Sequence, residues 1–418
     1  MFASPRVAVK VALVTEFYYP HLGGVTEHVY HLARHLTERG HGVRVVTNHV
    51  AKAPRRADIE TVVVPEGSFE VVRIGLGMPI ESNGSESRVT IGLGLVRHMQ
   101  EALDGVDLVH VQSPLFPMLP YLALKVARRR GIPTVGTFHT NFGGSKALRF
   151  FAPVIRQYSR AIDRGIAVSD SAGRALSALL SKPPIVIPNG VDVAAWSSGG
   201  RLPDADATLG ATRNIVFLGR LDPRNDVDIL LAAFFKIART LLDTRLVLVG
   251  DGPRRAAYEA SVPADLQGRV VFAGSQASVE VRAGYLAAAE VMAFTARIVS
   301  HPMALIEGMA AGRAIVAYDI EGVRELVTDG REGYKVPVGD ADALAAAFIK
   351  VLSDDAHRRV MGRLSRTRAA QFDWHVIAQR IENVYAELCG DLVHPRDTIH
   401  APAAAVGAAP TLTVEAFG

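Results

Sequence analysis

The sequence predicts an α/β chain of two doubly wound parallel-sheet units that face one another across a cleft. Three observations predict it. Short β-rich apolar runs alternate with amphipathic stretches, the signature of parallel strands joined by crossover helices. The alternation breaks over 181–210, where Pro183, Pro184, Pro188 and Ser197-Ser198-Gly199-Gly200 interrupt it. It then restarts, with similar length but little sequence repetition. The expected divisions are 1–190, 191–373, a closing helix over 374–391 that returns to the first unit, and a disordered tail over 392–418 rich in Ala, Pro, Thr and Gly.

The elements follow in order. Residues 7–14 predict a buried strand. Residues 25–39 predict a helix, with Val29, Leu32, Ala33 and Leu36 at i, i+3, i+4 and i+7 and Gly40 ending it at C′. Strands are expected at 43–47, 107–111 and 134–137, with a helix over 115–129. In the second unit, strands are expected at 214–218, 245–249, 270–272, 291–294 and 314–318. Helices at 227–237, 279–289 and 303–311 alternate with them, and a last helix covers 374–388.

Composition narrows the function classes. The 418 residues carry 49% apolar and 21% charged residues. That is ordinary globular usage and excludes collagen-like and wholly disordered chains. The single cysteine, Cys389, excludes an intramolecular disulfide and a Cys-built zinc site, and suits a cytoplasmic protein. A net charge of +4 suits an anionic small ligand or membrane surface and does not single out nucleic acid. No run of ~18 apolar residues occurs, so membrane contact is expected to be peripheral, at the inner face.

Ligands of open parallel sheets bind outside the carboxyl ends of the strands, so the loops there carry the candidates. Glu16-Phe17-Tyr18-Tyr19-Pro20-His21-Leu22-Gly23-Gly24-Val25 joins the first strand to the first helix. Its paired glycines allow close backbone approach, and the helix start offers free amides to phosphate; a plain tight turn explains the same residues. The dinucleotide fingerprint Gly-x-Gly-x-x-Gly is missing here, which weighs against a dehydrogenase. Gly219-Arg220-Leu221-Asp222-Pro223-Arg224 follows the first strand of the second unit. There the Arg220 guanidinium either clamps a diphosphate or forms a surface ion pair. The stretch 303–312 joins a helix start to Glu307, suited to vicinal hydroxyls or, more simply, solvated. His139-Thr140 ends a strand, where His139 either serves a sugar or phosphate or is structural.

Asn83-Gly84-Ser85-Glu86-Ser87-Arg88 reads as a polar turn ending in Arg, fit for an anionic acceptor or an exposed hairpin tip. His28, His31 and His35 share a helix face, but no carboxylate or Cys set completes a metal site, so no metal is expected. Arg128-Arg129-Arg130 favours the dipole at a helix end, and no nucleic-acid partner is expected. Arg149, Phe150, Phe151, Arg156, Tyr158 and Arg160 suit an anionic lipid interface or an ordinary packed helix.

Taken in this order, the pieces resemble the family-four (GT4) retaining glycosyltransferases of the GT-B fold, whose two domains are Rossmann-like. The resemblance runs from about residue 11 to 385. It is carried by 17–24, by Ile187-Pro188-Asn189-Gly190-Val191-Asp192, by 217–224, 249–253, 305–312 and 317–325. Tyr18-Tyr19-Pro20 with Gly23-Gly24-Val25, the Asn83-Gly84-Ser85 turn, and His139-Thr140 followed by Lys146 are most similar to the phosphatidylinositol mannosyltransferase and phosphatidylinositol GlcNAc transferase members. The resemblance implies transfer of a hexosyl unit from a nucleotide-sugar, GDP-mannose or a UDP-sugar, to a hydroxyl. A phosphatidylinositol-like or other lipid or glycan acceptor is implied, with retained stereochemistry. No tightly bound cofactor is implied, and Mg2+ is permitted but not required.

By the same resemblance Tyr18, Gly23, Asn83, Ser85, Arg88, His139, Thr140 and Lys146 inherit the acceptor site. Gly24, Arg220, Arg224, Met303, Ala304, Leu305 and Glu307 inherit the donor site, with His139, Arg220 and Glu307 catalytic. Two positions depart from the pattern. The family Lys that grips the donor diphosphate is Asn225 here, and a Glu eight positions before Glu307 is Val299. These departures leave open a nucleotide-sugar-binding protein without turnover. A sugar-phosphate isomerase would instead need a carboxylate pair in the cleft.

Overall fold

The computed structural model describes residues 8–21, 23–50, 58–65, 67–82, 85–113, 118–139, 156, 158–177, 179–200, 202–203, 209, 213–299 and 301–390. In the first half the strands are β1 (Lys10–Val14), β2 (Gly42–His49), β3 (Asp58–Val64), β4 (Gly67–Ser82), β5 (Ser85–Ile91), β6 (Leu108–Gln112), β7 (Thr134–Phe138), β8 (Arg164–Ala167) and β9 (Ile185–Val186). They form one sheet in the order β3-β4-β2-β1-β6-β7-β8-β9, with β5 paired to β4. The second half contributes β10 (Arg213–Leu218), β11 (Thr244–Val249), β12 (Val270–Gly274), β13 (Val291–Phe294), β14 (Ala314–Tyr318) and β15 (Gly333–Val336). These pair in parallel as β12-β11-β10-β13-β14-β15.

Helices cover both faces of each sheet. They are α1 (Gly24–Glu38), α2 (Leu95–Ala102), α3 (Leu119–Arg130), α4 (Asp170–Ser177), α5 (Val193–Ser197), α6 (Val227–Ala238), α7 (Arg255–Ala260), α8 (Val279–Ala287), α9 (Met303–Ala310), α10 (Glu321–Arg324), α11 (Ala341–Ser353), α12 (Asp355–Ala369) and α13 (Trp374–Cys389). Strands buried on both faces read as continuous apolar runs, which is why β1 and β13 were legible. Each sheet lies between two apolar clusters, one on either face.

The first sheet departs from the wholly parallel expectation at one edge. β3 and β5 flank β4 antiparallel, in a stretch for which no strands were expected. The signal there is an apolar run interrupted by charge: Phe69, Val71, Val72 and Ile74 are buried, while Glu70 and Arg73 between them are partly exposed. Arg88 consequently lies inside β5, opposite Pro79, and not at the end of a turn. The helix expected over 115–129 begins at Leu119, and residues 114–117 lie outside the described set. So do the tail over 392–418 and Arg149, Phe150 and Phe151.

The chain crosses between the halves twice, and the two crossings are joined. The Val191 amide donates to Phe372 O at 2.7 Å, and the Trp374 amide returns to Val191 O at 3.1 Å. After the second crossing α13 lies on the first sheet. There Trp374, Ile377, Ile381, Val384 and Tyr385 share a core with Val11, Leu13, Leu32 and Leu36. Gly190 permits this: a Cβ there would stand 2.4 Å from Trp374 Cδ2.

Candidate functional site

In each sheet the chain order reverses beside the first strand, at β1 between β2 and β6 and at β10 between β11 and β13. The carboxyl ends of such strands leave a crevice for ligands. The first crevice is entered by α1, whose N-cap is Gly23. The second is entered by α9, which begins at Met303 after Pro302. The two helix starts meet: a Cβ at Gly24 would lie 3.9 Å from Met303 Cγ. Each helix start carries backbone N–H groups without intrahelical partners and the positive end of a dipole. Their convergence makes the gap between the halves favourable for an anion.

Charged side chains complete this gap. Glu307, on α9, is largely buried, and its carboxyl is pushed up to about 7 by burial, opposed by Arg282 and assisted by Glu27. Arg282 NH1 stands 3.8 Å from Glu307 Oε1, and its guanidinium lies 5.2 Å from the Trp196 ring centre. Glu27, in the first turn of α1, accepts the Tyr19 hydroxyl at 2.9 Å. Glu27 and Glu307 thus come from opposite halves with Arg282 acting on both. Sequence reasoning singled out neither Glu27 nor Arg282. A carboxylate in a first turn and an Arg on a helix are ordinary features until the two halves are brought together.

His139 follows β7 and shares a hydrogen bond between Nε2 and Gln112 Oε1 at 2.8 Å. Burial holds its ring down to about 4, with Asn189 opposing the shift. His28 of α1 meets it edge-on at 4.7 Å. His301, just before α9, is also buried and held down to about 3, by burial first and His139 second. These rings are neutral at ordinary pH and so act as hydrogen-bonding groups rather than cations.

Arg220 leaves the end of β10 with its side chain 70% exposed, and its Nε lies 3.5 Å from Asp222 Oδ2. Arg224 pairs with the same carboxylate at 2.9 Å. Gly250 brings the next loop close: it holds φ +144, and a Cβ there would stand 1.9 Å from Gly219 O. Asn225, in place of the family Lys, turns its side-chain amide back onto Arg220 O at 2.8 Å. Arg297 supplies a guanidinium beside it, bound to Asp226 at 2.6 Å, while the Arg297 amide donates to Arg224 O at 2.9 Å. Val299 packs on an apolar cluster with Ala304.

Two of the expected acceptor residues, Tyr18 and Arg88, are buried. Tyr18 is 4% exposed and belongs to the core of the first half. Arg88 is buried, with NH1 donating to Gly77 O at 3.3 Å. A Cβ at Gly23 would meet nothing within 4 Å, so the space around it is open. Asn83, Thr140, Lys146 and the Ser85 side chain lie outside the described residues. His31 and His35 stack on Trp374 at 5.5 and 6.0 Å, so the histidine face of α1 is a packing surface for α13. Among the described residues no group of His, Cys, Asp and Glu could hold a metal ion.

Two family models match the chain: Glycosyltransferase Family 4 over residues 22–195 and Glycosyl transferases group 1 over 212–354. Phosphatidyl-myo-inositol mannosyltransferase of Mycolicibacterium smegmatis is 34% identical over 388 residues, which cover 91% of this chain and 95% of that one. The chain belongs to glycosyltransferase family 4. As a member of that family it is a transferase enzyme, and the reading without turnover loses its support. GDP-mannose-dependent alpha-mannosyltransferase of Mycobacterium tuberculosis is 27% identical over 407 residues, covering 91% of this chain and 97% of that one. Sucrose-phosphate synthase from Thermosynechococcus elongatus superposes with a TM-score of 0.68 at 22% identity, over 91% of this chain and 99% of that one. The family-4 chain therefore has the GT-B fold. None of its described helices is long and apolar enough to cross a membrane.

Proposed function

We propose that this glycosyltransferase moves a mannosyl unit from GDP-mannose to an inositol-phosphate lipid, with retention, at the inner face of the membrane. The observation that carries the reading is the meeting of the α1 and α9 starts across the gap, with Glu307 buried beside them. The amides at Met303, Ala304 and Leu305 hold the donor diphosphate, with Gly24 closing against it. Arg220, with Arg224 and Arg297 on neighbouring loops, neutralises charge as the diphosphate departs. Glu307 accepts hydrogen bonds from the ribose hydroxyls. His139, neutral and held by Gln112, orients the sugar. The acceptor hydroxyl attacks from the face the diphosphate leaves. The relatives' printed activities support a mannosyl donor and an inositol-lipid acceptor.

The test is a donor panel. GDP-mannose, UDP-GlcNAc and UDP-glucose are titrated calorimetrically into wild type and Arg220→Ala, and each is assayed for transfer to phosphatidylinositol in vesicles. Mannosyl transfer with GDP-mannose alone, and weaker nucleotide binding by Arg220→Ala, are the expected results. Equal affinity of both proteins for every nucleotide removes the donor-site assignment.

A further inference from the structure

A second cavity lies at the amino ends of the strands of the second sheet. It has a volume of about 880 Å³, and five arginines line it: Arg313, Arg358, Arg359, Arg363 and Arg366. The only acidic residues in its lining are Glu290 and Asp355. Glu290 and Arg313 stand just before β13 and β14, at the amino ends of the parallel strands. The donor gap lies at their carboxyl ends, so the two sites are separated by the length of the strands.

A basic stripe on one helix is most often solvated surface, and Arg359, Arg363 and Arg366 of α12 alone would read that way. Arg313 changes the reading, because it comes from another element and is largely buried. Its Nε donates to Ala311 O at 3.0 Å and its NH1 to Ala289 O at 2.8 Å. Arg366 NH2 donates to the same Ala311 oxygen at 3.2 Å. One carbonyl therefore holds two guanidiniums side by side. Glycines make the approach possible. Gly312 has φ +70, and a Cβ there would stand 2.7 Å from Arg366 NH2; a Cβ at Gly362 would stand 2.2 Å from Gly312 O.

Counter-ions are scarce. Arg358 pairs with Asp355 at 2.6 Å, but Arg313, Arg359, Arg363 and Arg366 form no ion pair among the described residues. Burial lowers the Arg313 pKa, and the proximity of Arg366 and Arg358 lowers it further against Glu290. Guanidinium forks suit phosphate oxygens bidentately. A phosphate monoester carries roughly −1.5 to −2 charges, so a ligand with two such groups matches the excess of five arginines over two carboxylates. The volume falls within the usual small-molecule range of about 300–1,000 Å³.

We propose that this cavity binds an anion carrying two or more phosphate groups, separately from the donor gap. Val193 and Ala370 line its edge, beside the two crossings, so the ligand sits against the segments that join the halves.

With the donor gap saturated by GDP, inorganic tripolyphosphate is titrated into the full chain, into an Arg359→Ala, Arg363→Ala double variant and into Arg220→Ala. Both replaced arginines of the double variant are exposed, and circular dichroism confirms its fold. Binding is expected to weaken about tenfold or more in the double variant, as befits lost charge-assisted hydrogen bonds, and to be unchanged in Arg220→Ala. Equal binding by wild type and the double variant overturns the proposal, as does loss of binding in Arg220→Ala, which would place the anion in the donor gap. A parallel arm sediments wild type and double variant with phosphatidylcholine vesicles, with and without a phosphatidylinositol bisphosphate. Bisphosphate-dependent sedimentation lost in the double variant identifies a lipid headgroup, and calorimetric binding without it identifies a free polyphosphate; both support the site.

Discussion

Glu307 is the residue on which charge and position meet. Its carboxyl is pushed up to about 7 by burial, so it changes state near neutral pH, and its neighbour Glu27 is held lower. Desolvation dominates the upward shift, with the Glu27 charge adding to it and Arg282 opposing it. Glu307 accepts hydrogen bonds better when ionised, so kcat/KM for the donor should rise with pH through about 7. Glu307→Gln should flatten that limb and leave the thermal unfolding curve nearly in place only below about pH 4.5. The same shift has a stability consequence: a raised carboxyl favours the fold below about 4.5 and loses that advantage as pH rises towards 7. Arg220→Ala removes a charge-assisted contact of ~1.5–3 kcal/mol, so donor affinity should fall by about tenfold to a hundredfold. Calorimetry with GDP at constant salt measures it. Single-residue chemistry was partly legible. Glu307 and Arg220 stand in motif positions at strand ends, which a linear reading can find. Glu27 and Arg282 are recognisable only through the packing of one half on the other. The burial of Tyr18 was not legible, because an aromatic in a loop motif looks the same whether it faces a ligand or fills a core.

At the scale of elements, carboxylates tie the halves together. Glu325, next to α10, accepts the Asp170 and Ser171 amides at 3.1 and 3.0 Å. It thereby satisfies free N–H groups at the start of α4, in the other half. Arg174 of α4 answers with an ion pair to Glu321. Glu325→Ala should cost about 0.5–2 kcal/mol, the range for a lost helix cap, and speed amide exchange at Asp170 and Ser171. Gly190→Val should be more severe. Its Cβ meets the rigid Trp374 ring, and overpacking of that kind costs roughly 1–3 kcal/mol; urea unfolding reads it directly. The parallel strands were legible because burial on two faces leaves an unbroken apolar run. β3, β4 and β5 were not, because an edge that is half exposed dilutes the run with Glu60, Glu70 and Arg73.

For the whole molecule, a polar clamp between α1 and α13 adds a pH dependence. Glu382 pairs with Arg39 and shares a hydrogen bond with His41 at 3.0 Å. Although burial alone would raise its carboxyl, those partners bring it down to about 2. A depressed carboxyl stabilises the fold above its unfolded value and loses that contribution as pH falls from about 4.5 towards 2. Wild type should therefore lose its advantage over Glu382→Gln between about pH 5 and about pH 2, measured by urea midpoints across that range.

Because α13 supplies Trp374 and Tyr385 to a core that includes β1, an earlier-made part of the chain is sealed by a much later one. During synthesis the opening 190 residues emerge with a greasy trough where α13 will lie, and they must wait for 183 more before Trp374 arrives. A ribosome stalled near 370 should present a protease-sensitive, chaperone-bound intermediate, and release past 389 should abolish both.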